Sequence, residues 1–183
     1  MWDTVLEAGK PHGLEVIGPC QIRRVEAGIL SYGSDIALDN NLYSDYAFLN
    51  PYEVELEYTV DLDQEADFIG KEALKRIAAE GVKRKVVGVE IEGDPLIGYI
   101  EDYLQVVEDG AQIGQISSAF YSPRLKKNIG FALVPIEYAD LGTEITVRSH
   151  TGETTARVVE KPFIDPKKET PKTDLRKETA KLY

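Results

Sequence analysis

Six short β-rich runs, strung at even spacing through the second half of the chain, limit what it can fold into more than any other feature. They are the runs built on Val86, Val87, Val89 and Ile91, then residues 103–107, 113–119, 129–134, 144–147 and 154–159. Gly-Asp, Asp-Gly, Ser-Pro, Gly-Thr and Thr-Gly punctuate them, and these are turn formers rather than helical linkers. Short strands with tight turns do not leave room for crossover helices, so they pair antiparallel and close into a barrel or sandwich. The pattern begins after Gly81-Val82-Lys83-Arg84, where a domain boundary is expected.

The first half reads differently. Trp2, Val5, Leu6 and Gly9 share one helical face, and Lys10-Pro11-His12-Gly13 ends that helix. Leu14-Glu15-Val16-Ile17 is strand-like and is broken by Gly18-Pro19. Residues 20–30 place Ile22, Val25, Ile29 and Leu30 at helical spacing. Residues 31–50 are polar and aromatic and predict an irregular loop, with a turn at Asp39-Asn40-Asn41. The alternation in residues 55–61 predicts a half-buried strand, and a helix is expected from Gly70 to Ala79, with Asp67 in its cap region and Gly81 at its end. The last residues, 166–183, are charged and lack an apolar stripe, which predicts a mobile tail.

Composition removes several function classes. The 183 residues carry a formal net charge of -11, a field of the wrong sign for nucleic acid or an anionic membrane surface. No apolar run approaches the roughly 20 residues of a membrane span. The N-terminus has acids where a secretory signal needs a basic start. A single cysteine, Cys20, excludes an internal disulfide and a multi-cysteine zinc site, and it reads as a small buried hydrophobe rather than a nucleophile. His12 and His150 are isolated, and the acids Asp61, Asp63, Glu65 and Asp67 lack the glycine and terminal glutamate of a calcium loop. No metal site is expected, and the compartment expected is the cytoplasm.

Five segments in order carry a family resemblance: Arg24-Val25-Glu26-Ala27-Gly28 with Ser31-Tyr32-Gly33-Ser34-Asp35, Asn50-Pro51, Asp67-Phe68-Ile69-Gly70-Lys71-Glu72-Ala73-Leu74, the run from Gly114 through Ser122-Pro123-Arg124-Leu125-Lys126-Lys127-Asn128-Ile129-Gly130 to Ala132, and Lys161-Pro162-Phe163. Together they resemble the C-terminal part of the glycine cleavage T-protein (aminomethyltransferase) family. The resemblance implies an α+β fold in which the end of a folate-binding body, residues 1–82, precedes a C-terminal antiparallel six-stranded β-barrel, residues 83–165. It also implies tetrahydrofolate as the cofactor, a small-molecule one-carbon donor, and an N-terminal half or a second copy as partner. No catalytic residue is expected within this sequence, because the family's catalytic Asp and its Gly-Tyr-Thr-Gly-Glu motif belong to the N-terminal portion.

Two departures bear on chemistry. The family's folate-binding Arg, just upstream of the Arg-Leu-Glu-Ala-Gly helix, aligns with Cys20, and the stretch between Ile36 and Asn50 is longer than in aminomethyltransferases. The run from Ile22 to Gly33 is similar to tetrahydrofolate-dependent demethylases of the same superfamily, such as dimethylsulfoniopropionate demethylase, so the group transferred is aminomethyl or methyl. A non-catalytic barrel acting as an assembly module is the competing reading.

The resemblance nominates Arg24, Glu26, Tyr32, Lys126 and Lys127 as cofactor-binding residues. Two positions apart on a helix, Arg24 and Glu26 project about 200° from each other. Either Arg24 supports the folate cleft while Glu26 pairs within the fold, or both are solvated charges. Tyr32 is a cleft wall or a packing aromatic beside Gly33. Lys126 and Lys127 meet an anionic folate tail or form a charged hairpin tip.

Overall fold

The computed structural model describes residues 1–18, 20–36, 49–97, 104–167 and 169. Helix α1 (Trp2–Gly9) runs into a 3-10 turn, Lys10–His12, and Gly13 then reverses the chain at φ 71°. Helix α2 (Gln21–Glu26) is short, and helix α3 (Lys71–Glu80) follows a long irregular stretch. Six strands then occupy the rest: β1 (Arg84–Ile91), β2 (Leu104–Glu108), β3 (Ala111–Ser122), β4 (Lys127–Pro135), β5 (Glu144–Ser149) and β6 (Gly152–Val159).

All strand pairs are antiparallel, and the order β1-β4-β3-β2-β5-β6 closes on itself as a barrel through β1 and β6. Closure removes the exposed edges that an open sheet of this kind would present. The fold is therefore the expected α+β arrangement with a six-stranded antiparallel barrel.

Alternation along the strands builds two apolar layers from one sheet. Val87, Val89, Ile91, Ala132, Val134, Val147 and Val158 point inward and fill the barrel with small and branched side chains. Val86, Ile129, Phe131 and Leu133 point outward, where Val25 of α2, Val54, Leu56 and Phe163 cover them. Strands β1 and β4 are thus buried on both faces, whereas β5 keeps the exposed–buried alternation of a sheet facing water. Phe131 is fully buried in the outer layer, a burial that contributes about 1.5–3 kcal/mol.

Four local expectations are corrected. Residues 55–61 form no strand. Asn50 Oδ1 accepts the amides of Tyr52 and Glu53, Leu56 N–H donates to Pro51 O, Glu55 sits at φ 60°, and a 3-10 turn covers Glu57–Thr59. Asn-Pro turn chemistry overrides the alternation there. Asp67 does not cap α3: its carboxylate accepts the amide of Phe68, and Gly70 at φ 95° leads into the helix instead. Residues 14–17 belong to no sheet. Cys20 is exposed rather than buried. The turn expected at residues 39–41 lies outside the described residues, as does nearly all of the tail expected at 166–183.

The 49–56 segment is fastened to the barrel by charge. Glu53 accepts from Arg84 Nε at 2.8 Å, and its backbone carbonyl receives Val86 N–H at 2.7 Å. Glu55 pairs with Lys85 at 2.9 Å and with Lys161 at 3.3 Å, while Lys161 Nζ also donates to Val86 O. Burial pushes the Lys161 pKa below its usual value, with Glu55 opposing that shift. Burial pushes Glu55 upward, but its bonds and proximity to Lys85 and Lys161 outweigh this and hold it below 4.5.

Two measurements check this account. A Cβ built on Gly114 would lie 2.3 Å from the Leu133 carbonyl oxygen, a backbone atom fixed in the β3–β4 ladder. Gly114→Ala should lower the urea midpoint by the equivalent of about 2 kcal/mol or more, with little change in slope. For the Glu55 cluster the sign follows from a depressed carboxylate: its contribution is present above pH 4.5 and is lost as pH falls through the lower folded value. Stability measured by urea titration between pH 6 and pH 3 should fall less steeply in Glu55→Gln than in the parent chain.

Candidate functional site

The site grows out of a fault in strand alternation. The β3–β4 register shifts between Ile116 and Ser118, so Ile116 opposes Ala132 and Ser118 opposes Phe131, with Ser117 as the extra residue. Without the bulge, Ser118 would follow Ile116 into the barrel. With it, Ser117 and Ser118 both reach outward to one carboxylate: Asp35 Oδ1 accepts Ser117 Oγ at 2.5 Å and Ser118 Oγ at 2.7 Å.

Asp35 is 2 % exposed, a charge removed from water that must be compensated locally. Its other oxygen accepts Arg24 Nη1 at 2.7 Å and the backbone amide of Ser31 at 2.8 Å. Arg24 spreads its fork further, donating from Nη1 to Ile29 O, from Nη2 to Ser118 Oγ at 2.8 Å, and from Nε to Gln21. A planar guanidinium can serve several acceptors in fixed directions, which an ammonium cannot. Helix α2, the turn of residues 31–36 and strand β3 are tied together by this one ion pair.

Glu26, two residues on, is also turned to β3. It is 5 % exposed and accepts Ser122 Oγ at 2.6 Å, while its backbone carbonyl receives Ile164 N–H. Arg24 and Glu26 share no partner: Arg24 reaches Asp35 and Ser118, and Glu26 reaches Ser122 further along the same strand. Neither is a solvated charge, and Glu26 pairs within the fold.

Tyr32 sits in the turn that Asp35 fixes. It forms an isolated bridge with Ile36, Gly33 N–H donates to Ile36 O at 2.8 Å, and Gly33 adopts φ 85°. The Tyr32 ring is 82 % exposed, so it is not a packing aromatic among the described residues. Lys126 and Lys127 are placed elsewhere. Lys126 takes φ 56° in the β3–β4 turn, and Lys127 pairs with Glu90 at 2.6 Å. Both line a cavity of about 340 Å³ with Tyr121, Glu144 and Arg157, and that cavity includes none of Arg24, Glu26 or Tyr32.

Sequence reasoning passed over Asp35, Ser117 and Ser118. An acid in a polar loop reads as solvated, and only its position eleven residues after Arg24 could have suggested a pair. It also passed over Asn128, whose side chain accepts Leu96 N–H and donates to Asp94 O, holding the strand-end loop after β1.

Asp35→Asn keeps the shape and removes the charge facing Arg24. It should cost about 2–4 kcal/mol in urea unfolding, because the guanidinium stays largely enclosed without its counter-charge. Arg24→Lys should lose a comparable amount, and limited proteolysis of either variant should open the chain between residues 20 and 36 before the barrel. Wild-type resistance in both variants would mean that the pair does not hold the turn.

Residues 84–165 match the family model of the glycine cleavage T-protein C-terminal barrel domain. An aminomethyltransferase of Clostridium botulinum (strain Okra / Type B1) is 37% identical over 174 residues, covering 93% of this chain and 43% of that protein. One from Geobacillus sp. (strain WCH70) is 35% identical over 167 residues, covering 89% and 42%. The chain thus spans less than half the length of these relatives. The crystal structure of the glycine cleavage system aminomethyltransferase T from Bartonella henselae superposes with a TM-score of 0.65 at 22% identity, over 79% of this chain and 38% of that one, and shares the fold. The closed six-stranded barrel of this chain is thus the segment that matches the glycine cleavage T-protein C-terminal barrel domain, and the chain as a whole is similar to the C-terminal part of aminomethyltransferases.

Proposed function

We propose that this chain is the C-terminal portion of a tetrahydrofolate-dependent one-carbon transferase that moves an aminomethyl or methyl group. Residues 1–82 are the end of its folate-binding body and residues 83–165 its barrel. The observation that carries this reading is the similarity to aminomethyltransferases across nearly the whole chain, which takes in the segment before the barrel as well as the barrel itself.

The residues present divide by what they can still do. Arg24 and Glu26 are consumed by Asp35, Ser118 and Ser122, so they act by positioning rather than by touching folate. Tyr32 presents a ring held by a fixed turn at the edge of the body, which suits stacking against a flat heterocycle. Lys126 has no ion pair among the described residues and suits the anionic tail. When bound, tetrahydrofolate supplies the nitrogen that accepts the one-carbon unit. The acid near that nitrogen is assigned to the N-terminal portion of the relatives, on the same polypeptide or a partner. The alternative, a non-catalytic assembly module, draws on the exposure of Trp2, Val5, Val16 and Ile17, which marks a surface for association.

Isothermal calorimetry with tetrahydrofolate separates the two. This chain alone should show no binding. Supplied with the N-terminal portion of the Clostridium botulinum aminomethyltransferase, it should bind, and Tyr32→Ala should weaken that binding by about 1 kcal/mol, several-fold in Kd, without changing the melting temperature. Turnover by this chain alone would overturn the assignment of the acid, and no binding in the reconstituted pair would favour the assembly module.

A further inference from the structure

The cavity of about 340 Å³ at the β3–β4 turn is lined by six charged side chains, Glu90, Glu92, Lys126, Lys127, Glu144 and Arg157, equally divided in sign. Four of them are already paired: Lys127 bonds Glu90 at 2.6 Å, and Arg157 bonds Glu144 at 2.6 Å. Glu90 is the register partner of Arg157, and Arg157 of Glu144, so the signs alternate across β4, β1, β6 and β5. Lys126 and Glu92 are left over. Among the described residues neither side chain has an ion pair or a hydrogen bond. Both are nevertheless fixed through their backbones. Ile91 is paired with Asn128, so Glu92 and Lys126 leave adjacent strand ends. Glu92 N–H donates to Thr155 O at 2.9 Å and its carbonyl accepts Thr154 Oγ1, while Lys126 N–H donates to Ser122 O at 2.8 Å. Lys126 takes φ 56°, a conformation that glycine or asparagine adopts more readily. The hydroxyls of Tyr121 and Thr155, which also line the cavity, have no hydrogen bond among the described residues.

We propose that this cavity binds a small zwitterion, an amino acid whose carboxylate meets Lys126 and whose ammonium group meets Glu92. The site goes beyond the function proposed above, since the cavity includes none of Arg24, Glu26 or Tyr32, and Lys126 is the one residue that both readings use. Charge selects the ligand. The lining has no net sign, so it draws in neither a polyanion nor a polycation from a distance. A ligand carrying only carboxylates, as a folate tail does, would satisfy Lys126 but set like charges against Glu92. A zwitterion gives each free group its counter-charge, and charge-assisted hydrogen bonds are the stronger kind. The hydroxyls of Tyr121 and Thr155 can donate to or accept from either end of it. Size selects further: the volume lies at the low end of the roughly 300–1,000 Å³ that ligand pockets occupy, which favours a short carbon chain.

The test is an NMR titration of the isotope-labelled full chain at low ionic strength, following the amides of Glu92, Gly93 and Lys126. The probes are alanine and γ-aminobutyrate, which differ in charge separation, with acetate, methylammonium and triglutamate beside them. At least one of the two zwitterions should shift all three amides and saturate with a Kd of about 1 mM or tighter. Acetate and methylammonium, each matching a single charge, should bind about tenfold more weakly or worse. Lys126→Asn and Glu92→Gln should each weaken the zwitterion about tenfold. Lys126→Asn also relieves the positive φ and should melt no lower than the parent chain, which keeps the test decisive where Glu92→Gln folds poorly. No saturable shift with either zwitterion would overturn the inference, as would acetate binding as tightly as the zwitterions. Triglutamate shifting these amides at lower concentration than either zwitterion would overturn it too, and would give the cavity to the folate tail. The titration uses this chain alone and no tetrahydrofolate. Absence of folate binding in the reconstituted pair would therefore refute the proposed function and leave the zwitterion site standing, and folate binding there would not rescue a cavity that ignores both zwitterions.

Discussion

A carboxylate with almost no access to water has to be met by donors from its own fold, and the placement of Asp35 sets much of the rest of this structure. Four donors reach it, from Arg24, the Ser31 amide, Ser117 and Ser118. Two of them come from consecutive residues of β3, which a regular strand would send to opposite faces. The bulge in β3 is therefore part of the ion pair's geometry, not an isolated irregularity. The same bulge flips the phase of everything after it, so that Ala119 faces the barrel interior and Phe120 joins the outer layer. One buried charge thus fixes the approach of α2, the turn bearing Tyr32 and the register by which β3 contributes to both apolar layers.

That double burial explains why the barrel was legible from sequence while the segment before it was read less well. Residues 129–134 and 86–91 are nearly continuous apolar runs because the barrel uses one side of the strand and the N-terminal segment uses the other. Glu144-Ile145-Thr146-Val147 alternates because its outer face meets water. Turn residues between such runs leave few choices of topology. In residues 49–67 the local pattern misled, since the alternation over 55–61 is indistinguishable from a strand until Asn50 and Pro51 are allowed to fold the chain back on itself. The helix boundaries at Gly13 and Gly81 were readable because each glycine takes a positive φ that other residues resist.

The candidate site was less legible for a different reason. Arg24 and Glu26 were identified, but their partners Ser118 and Ser122 lie 94 and 96 residues away in sequence. No spacing rule connects such positions. Serines in a strand carry no signal of their own, and the bulge that turns Ser118 outward has no marker in the sequence. Lys126 and Lys127 were easy to find as adjacent charges on a turn, yet their shared cavity is lined by a different set of residues from those around Tyr32. Proximity along the chain grouped residues that the fold keeps in separate clusters.

The way buried acids are satisfied also bears on where chemistry can occur. A general acid must exchange its proton with a reacting group, so it needs an oxygen that structure does not already occupy. Among the described residues the buried carboxylates are committed: Glu26 to Ser122, Asp35 to Arg24 and three further donors, Glu53 to Arg84 and the amide of Asn50. Releasing any of them for proton transfer would leave a partner stranded in a region of low dielectric, at a cost that a catalytic cycle would meet on every turnover. These carboxylates are built to hold α2 and the 49–56 segment against the barrel. The turn that Asp35 fixes in this way holds Tyr32 exposed at its surface.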